Sequence, residues 1–416
     1  MSNFGSFSRT FHTIPRENAA EFTDVLAQYF DADTYKRFEM IKLAGGGISG
    51  IAWKLKYDRS NLPSYMHEIV PIPRRTDGRI QYIALKTPRD RMIDEDDMGI
   101  MSDDDFGVIS LDGGSGPGTS LSNGPLRAEM EILNVLKWGK HIVRLLLPIQ
   151  DSLSAPQPDL EPHRLKPDEW IYMEWLENGT VGQFIRRAMD KNIQAPLPNR
   201  LLWRMFLCLI RIYIALGWPP RQSSPSGPQV TEQVDGAAWG RYLHTDIHYN
   251  NMMFGDMVSP NNATDTNAIE DPQDGQEHDF APIIKLIDFY NTKGRDPTRE
   301  KDTHTTNLWF LAGVMQNLIT LSNTQVAQTA SKIFRVGKNP ANFAHETNAI
   351  MIVPASSGAE PYPGLDPELR DLVCLSLAVD STVRLELGTL VKVIEIAIAE
   401  RDEAYYKALN IDSMGA

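Results

Sequence analysis

The sequence has 416 residues, enough for about two or three domains at roughly 150 residues each. Its 42% hydrophobic and 23% charged residues exclude a largely disordered or fibrous chain. Two cysteines, Cys208 and Cys374, exclude a disulfide framework and a four-thiolate zinc site, and no apolar leader is visible before residue 17, so the sequence reads as reduced and cytoplasmic.

The formal net charge of −13 is concentrated in two stretches. Residues 91–124 hold eight acids against Arg91 alone, and residues 256–282 hold seven acids and no Lys or Arg, which leaves about +1 for everything else. Both are rich in Gly, Ser, Asn, Asp and Pro without periodicity and read as solvated insertions. The balance disfavours broad nucleic-acid binding and says little against a small anionic ligand.

In chain order, residues 18–30 have a helical pattern, and residues 38–57 read as strand, glycine turn, strand. Residues 80–86 form a third apolar strand. Beyond the first acidic insertion, residues 125–138 predict an amphipathic helix opened by Pro125, with Met130, Leu133 and Leu136 on one face. Residues 142–149 and 170–175 predict strands. The character then turns helical, with helices over 181–189, 201–217, 307–321 and 385–409 and a short buried strand near 283–287. The stretch 201–218 is the most apolar, but Arg204 and Arg211 interrupt it, which predicts a buried helix and not a membrane span.

Several residues carry chemical potential. Gly45, Gly47 and Gly50 would let backbone lie close over phosphates, although for these residues alone a glycine-rich hairpin turn is the better reading. Lys86 ends an apolar strand and Glu129 sits on the following helix. In HTDIHYNN, Asp246 and Asn251 are five positions apart with His248 between them. A carboxylate there can take a proton from an attacking hydroxyl while the amide oxygen binds a metal. Asp288 follows a short apolar run, a position that suits a magnesium ligand.

Taken in order, these pieces resemble the protein-kinase-like superfamily: a glycine loop, IALK, the Glu129 helix, MEWL at 173–176, HTDIHYNN, DFY at 288–290, NLWFLAG and DSTVR at 380–384. The resemblance spans about residues 38–399. It implies an α+β, bilobal kinase-like fold, with a small β-rich N-lobe carrying one regulatory helix and a larger, mostly helical C-lobe. The implied divisions are an extension over 1–37, an N-lobe over 38–175 and a C-lobe over 176–416. It also implies ATP and magnesium as cofactors. Lys86, paired with Glu129, would hold the α- and β-phosphates, and Gly45, Gly47 and Gly50 would cover them. Glu174 and Leu176 would offer backbone groups to adenine, with Met173 behind it. Asp246 would be the catalytic base, aided by His248, and Asn251 and Asp288 the metal ligands. The literal DFG at 105–107 precedes Glu129, stands in the wrong chain order and is set aside.

The pattern departs from protein kinases at named positions. Thr245 replaces the loop arginine, His248 the loop lysine and Tyr290 the DFG glycine; Asn307 and Ala312 alter the DxWxxG helix; no APE motif follows, which leaves Arg384 without its usual partner. The DxHxxN form is more similar to aminoglycoside and choline-type kinases. A phosphotransferase acting on a hydroxyl of a small molecule or protein, with no membrane attachment, is the leading expectation. Two others stand beside it: a catalytically inactive scaffold, and a kinase-like fold redirected to nucleotidyl or aminoacyl transfer.

Overall fold

Alternation governs the first strands. Ile51, Trp53, Leu55 and Tyr57 are fully buried on one face of their strand, as a period of two requires. The computed structural model describes residues 16–47, 50–58, 60, 62, 80–88, 125–148, 151, 153, 169–193, 196–221, 229–235, 242–257, 277–278, 281–294, 300–336, 344–355 and 358–409. The insertion at 91–124, most of that at 256–282 and the tripeptide at 105–107 lie outside the described residues. The protein is a mixed α+β chain whose contacts divide it into two compact units. The first is built from residues up to Asn134 together with Leu145–Trp175, the second from Val135–Arg144 and the described chain from Leu176 onward.

In the first unit, β1 (Phe38–Gly47), β2 (Gly50–Asp58), β3 (Ile80–Thr87), β4 (Leu145–Leu146) and β5 (Ile171–Glu174) form an antiparallel sheet in the order β1-β2-β3-β5-β4. Helix α1 (Arg16–Asp31) covers one face: Phe22, Leu26, Tyr29 and Phe30, at helical spacing, pack with Trp53, Leu55, Tyr57, Ile83, Leu85 and Tyr172. The described part of 1–37 is therefore integral to the unit's core. Helix α2 (Pro125–Leu136) carries Glu129. Half-buried Asp151 ties the sheet's end together, accepting hydrogen bonds from Trp170 Nε1 (2.6 Å), Tyr172 Oη (2.8 Å) and the Leu153 amide (3.1 Å).

The second unit is organised around α4 (Asn199–Gly217), buried over almost its whole circumference. It packs against α5 (Glu300–Thr320) and α7 (Leu387–Glu400). The two arginines that break its apolar run are themselves buried. Arg211 pairs with Glu277 and with Glu395 (2.9 Å) and donates to the Glu232 carbonyl (2.8 Å). Among the described residues no helix is long and apolar enough to cross a membrane. Glu277 and His278, placed by sequence in a solvated insertion, are buried instead, because Arg211 supplies the countercharge that makes burial of a carboxylate affordable.

Short two-stranded sheets complete the unit: β6 (Tyr242–His244) with β9 (Thr292–Gly294), β7 (Met252–Met257) with β8 (Pro282–Leu286), and β10 (Lys332–Arg335) with β11 (Ala344–Thr347). Helix α3 (Val181–Asp190) starts at a capping box in which Thr180 Oγ1 accepts from Gln183 N while Gln183 Oε1 accepts from Thr180 N. Asn178, two positions before Thr180, donates to the Gly255 carbonyl at 2.7 Å.

Three sequence expectations are corrected. Of the described residues 142–148, only Leu145–Leu146 is strand, because residues 141–143 bond instead to Leu286 of β8 (Leu286 N to His141 O 2.9 Å; Val143 N to Leu286 O 3.0 Å). Helix α5 begins at Glu300, ahead of the apolar pattern that starts at Leu308. The run 385–409 divides into α7 and α8 (Glu403–Ala408), because Asp402 caps the second helix by accepting from Tyr405 N at 2.8 Å. Helix α6 (Pro367–Ser376) was not expected.

Candidate functional site

In the first unit, the strand register sets Gly45, Ala52, Lys86 and Ile171 in one row across four strands. Lys86 is the penultimate residue of β3, where its ammonium reaches Glu129 Oε2 at 2.6 Å, and both side chains are buried. A buried ion pair is costly to assemble, so its presence at the end of an apolar strand calls for a purpose beyond stability. The three glycines are not equivalent. Gly50 has φ +151°, and a Cβ there would lie 2.5 Å from the Thr87 carbonyl oxygen and 3.3 Å from Lys86 Cε, so the fold itself demands glycine. Gly45 is exposed and a Cβ there would meet nothing within 4 Å. Gly47 pairs with Gly50 at the end of the ladder. Glu174 lies on β5 opposite Ile83 and is half-buried, beside buried Met173.

In the second unit, Leu176 is buried. The turn between β6 and β7 brings Asp246, His248 and Asn251 together. Asn251 Nδ2 donates to the Asp246 carbonyl at 3.0 Å and lies 3.5 Å from Asp246 Oδ2, which directs the amide oxygen, the atom a metal would take, to the other side of the group. The Asn251 carbonyl accepts from Ile287 N at 2.9 Å and so anchors the chain beside Asp288. His248 Nδ1 accepts from Asn250 N (3.2 Å), which leaves the proton on Nε2, 3.5 Å from Asp246 Oδ1. Asp288 follows β8 with φ +62°, a left-handed backbone that aspartate tolerates better than most residues and that marks local constraint.

Two residues that hold this cluster were not singled out for that role by sequence. His244, fully buried, accepts from Asp246 N at Nδ1 (3.1 Å) and donates from Nε2 to the Asp288 carbonyl (2.9 Å). Burial lowers its pKa to about 4, with the Asp288 hydrogen bond and the charges of Asp246 and Asp288 opposing the shift, so the imidazole is the neutral tautomer that both bonds need. Asn307 accepts from His244 N (3.1 Å) and donates to the Tyr242 carbonyl (2.8 Å), a double role that an amide performs and a carboxylate does not. The remaining departures also find partners: Thr245 donates twice to the Asn291 carbonyl, and Arg384 donates to the carbonyls of Ala378 and Thr305.

Asp246 and Asn251 are joined directly and Asp288 is tied to them through its backbone carbonyl on His244; the hard oxygens of these three side chains are of the kind that suits magnesium and not softer metals. Neither a protein-family model nor a curated protein matches this sequence.

Proposed function

We propose that this chain is a divergent kinase-like phosphotransferase, with its two units as the two lobes of that fold, transferring a phosphoryl group from Mg-ATP to a hydroxyl. The observation that carries the reading is the network of Asp246, Asn251 and Asp288, knitted by His244 and Asn307 although the surrounding motif is altered. The buried Lys86–Glu129 pair supports it independently. Bound Mg-ATP would supply the phosphoryl group and the metal's positive charge. Asp246 would orient the acceptor hydroxyl and take its proton, with His248 Nε2–H steadying Oδ1. Asn251 and Asp288 would hold the metal, and Lys86 would carry positive charge to the phosphates with Glu129 fixing its position. The stretch between Tyr290 and α5 is shortened to residues 291–299, which favours a small-molecule acceptor over a peptide.

The test is turnover. Asp246→Ala is expected to keep the wild-type circular dichroism and ATP affinity while phosphoryl transfer from γ-labelled ATP falls about 10²–10⁴-fold. Transfer at the wild-type rate in that variant would remove Asp246 from the mechanism.

A further inference from the structure

The second unit buries a second polar cluster that the phosphotransfer reading does not use. His141 lies just after α2, Cys208 in the middle of α4 and His278 beside Glu277. The three are 0–1% exposed, and one ligand atom from each lies within 4.8 Å of the others. Cys208 Sγ is 3.8 Å from His278 Nδ1, and the two imidazole rings are 5.3 Å apart. The Nε2 atoms of both His141 and His278 are buried and make no hydrogen bond. A fully buried ring nitrogen without a partner costs on the order of 1–3 kcal/mol, so His141 Nε2 calls for a missing ligand, while His278 already turns Nδ1 to Cys208.

Glu232 supplies the second clue. It is fully buried and grips His141 twice, with Oε1 accepting from the backbone amide (2.7 Å) and Oε2 lying 2.6 Å from Nδ1. A carboxylate on Nδ1 fixes the tautomer and turns the lone pair of Nε2 inward, the arrangement that orients and strengthens a histidine as a metal ligand. Arg211, bonded to the Glu232 carbonyl, holds that segment in turn.

We propose that His141, Cys208 and His278 form a structural zinc site, with Glu232 as the positioning carboxylate of His141. Two neutral imidazoles and one thiolate suit zinc, and three protein donors leave one position for a water molecule. Two positive charges on the ion, one negative on the thiolate and one on Glu232 cancel, so the occupied cluster is neutral as deep burial requires. Binding replaces the thiol proton of Cys208 and any proton on His141 Nε2, with both released to solvent. The ion would join three stretches far apart in sequence and staple the second unit. Being closed to bulk solvent, it is a stabilising element and not a second reaction centre.

The test uses the full chain, stripped with a chelator under reducing conditions and titrated with cobalt(II), then zinc(II). One equivalent of cobalt(II) is expected to give thiolate-to-metal absorption in the near ultraviolet and visible bands of a four-coordinate ion, and zinc(II) should erase both. Cys208→Ala should abolish the thiolate absorption, whereas Cys374→Ala, at the other cysteine, should retain it. Glu232→Gln keeps all three ligands and should weaken zinc affinity about 10–100-fold. Should Cys208→Ala fail to fold, His278→Asn with a native circular dichroism spectrum must show the same loss of tight binding. Absence of stoichiometric cobalt binding by the wild type, or thiolate absorption that survives Cys208→Ala, would overturn the assignment and leave the cluster a buried ion pair.

Discussion

Asp366 is the residue whose loss should damage the second unit most clearly. It is 2% exposed and caps α6, with Oδ1 accepting from Glu368 N (2.9 Å) and Leu369 N (3.4 Å). Its Oδ2 accepts from Trp203 Nε1 of α4 (3.1 Å), from Tyr406 Oη of α8 (2.8 Å) and from Arg401. Burial and the Asp366 carboxylate together push the Tyr406 hydroxyl well above its usual pKa, so it stays a donor. Asp366→Ala removes a helix cap, about 1 kcal/mol, and strands one buried neutral donor, the Tyr406 hydroxyl, at about 1–3 kcal/mol, since Trp203 Nε1 keeps its bond to Tyr406 Oη (3.0 Å). The bond to partly exposed Arg401 adds about 1 kcal/mol or less. The sum is on the order of 3–4 kcal/mol, a large share of the stability of an ordinary domain. Urea unfolding followed by circular dichroism and tryptophan fluorescence measures it. Asp366→Asn, which still caps the helix, should lose roughly half as much. A loss of less than about 1 kcal/mol for Asp366→Ala would show that these bonds do not hold α4, α6 and α8 together.

Other outcomes follow from the same geometry. Asp151 has its pKa raised by burial, with the Tyr172, Trp170 and Leu153 hydrogen bonds opposing the shift. A carboxyl raised above its unfolded value binds its proton more tightly in the folded state, so stability falls as pH rises from about 4 through the folded pKa. Relative to Asp151→Asn, the wild type should therefore gain stability in urea titrations as pH is lowered through that window, and a difference that moves the other way would contradict this. Gly50→Ala should cost about 1–3 kcal/mol through its backbone and its clash with Thr87. Gly45→Ala should leave the melting temperature unchanged but weaken ATP binding, since only a ligand would meet its Cβ; equal melting losses in both variants would argue for a plain hairpin. Asp288→Ala should abolish the magnesium dependence of ATP binding, and magnesium dependence that persists in calorimetry would remove Asp288 from the metal site.

Much of this was legible in the sequence because it is written in local patterns. The alternation of residues 51–57, the helical spacing of 18–30 and the aliphatic run of α4 all become the elements they predict, and Lys86 meets Glu129 across 43 positions. Helix α6 was also legible, since Asp366-Pro367 is a cap followed by proline at the first turn, but a long polar approach hid it. What the sequence hides is long-range pairing. Nothing local says that Asn307 will cap His244, that Glu277 will leave an acidic stretch to meet Arg211, or that His141, Cys208 and His278 will converge from positions some 70 residues apart. Counting cysteines excludes a four-thiolate zinc site and is blind to a mixed one. Residues 142–149 went wrong for a related reason: an apolar run declares burial but not which partner strand it will choose.

The central claim is that this chain binds Mg-ATP through Lys86, and calorimetric titration tests it most directly. Wild-type protein and Lys86→Ala would each be titrated with ATP, with and without magnesium, after circular dichroism has shown both folded. Saturable, magnesium-dependent binding is expected for the wild type, lost or weakened at least about tenfold in Lys86→Ala, equivalent to about 1.4 kcal/mol. Absence of binding by the folded wild type, or equal affinity in the two proteins, would contradict it.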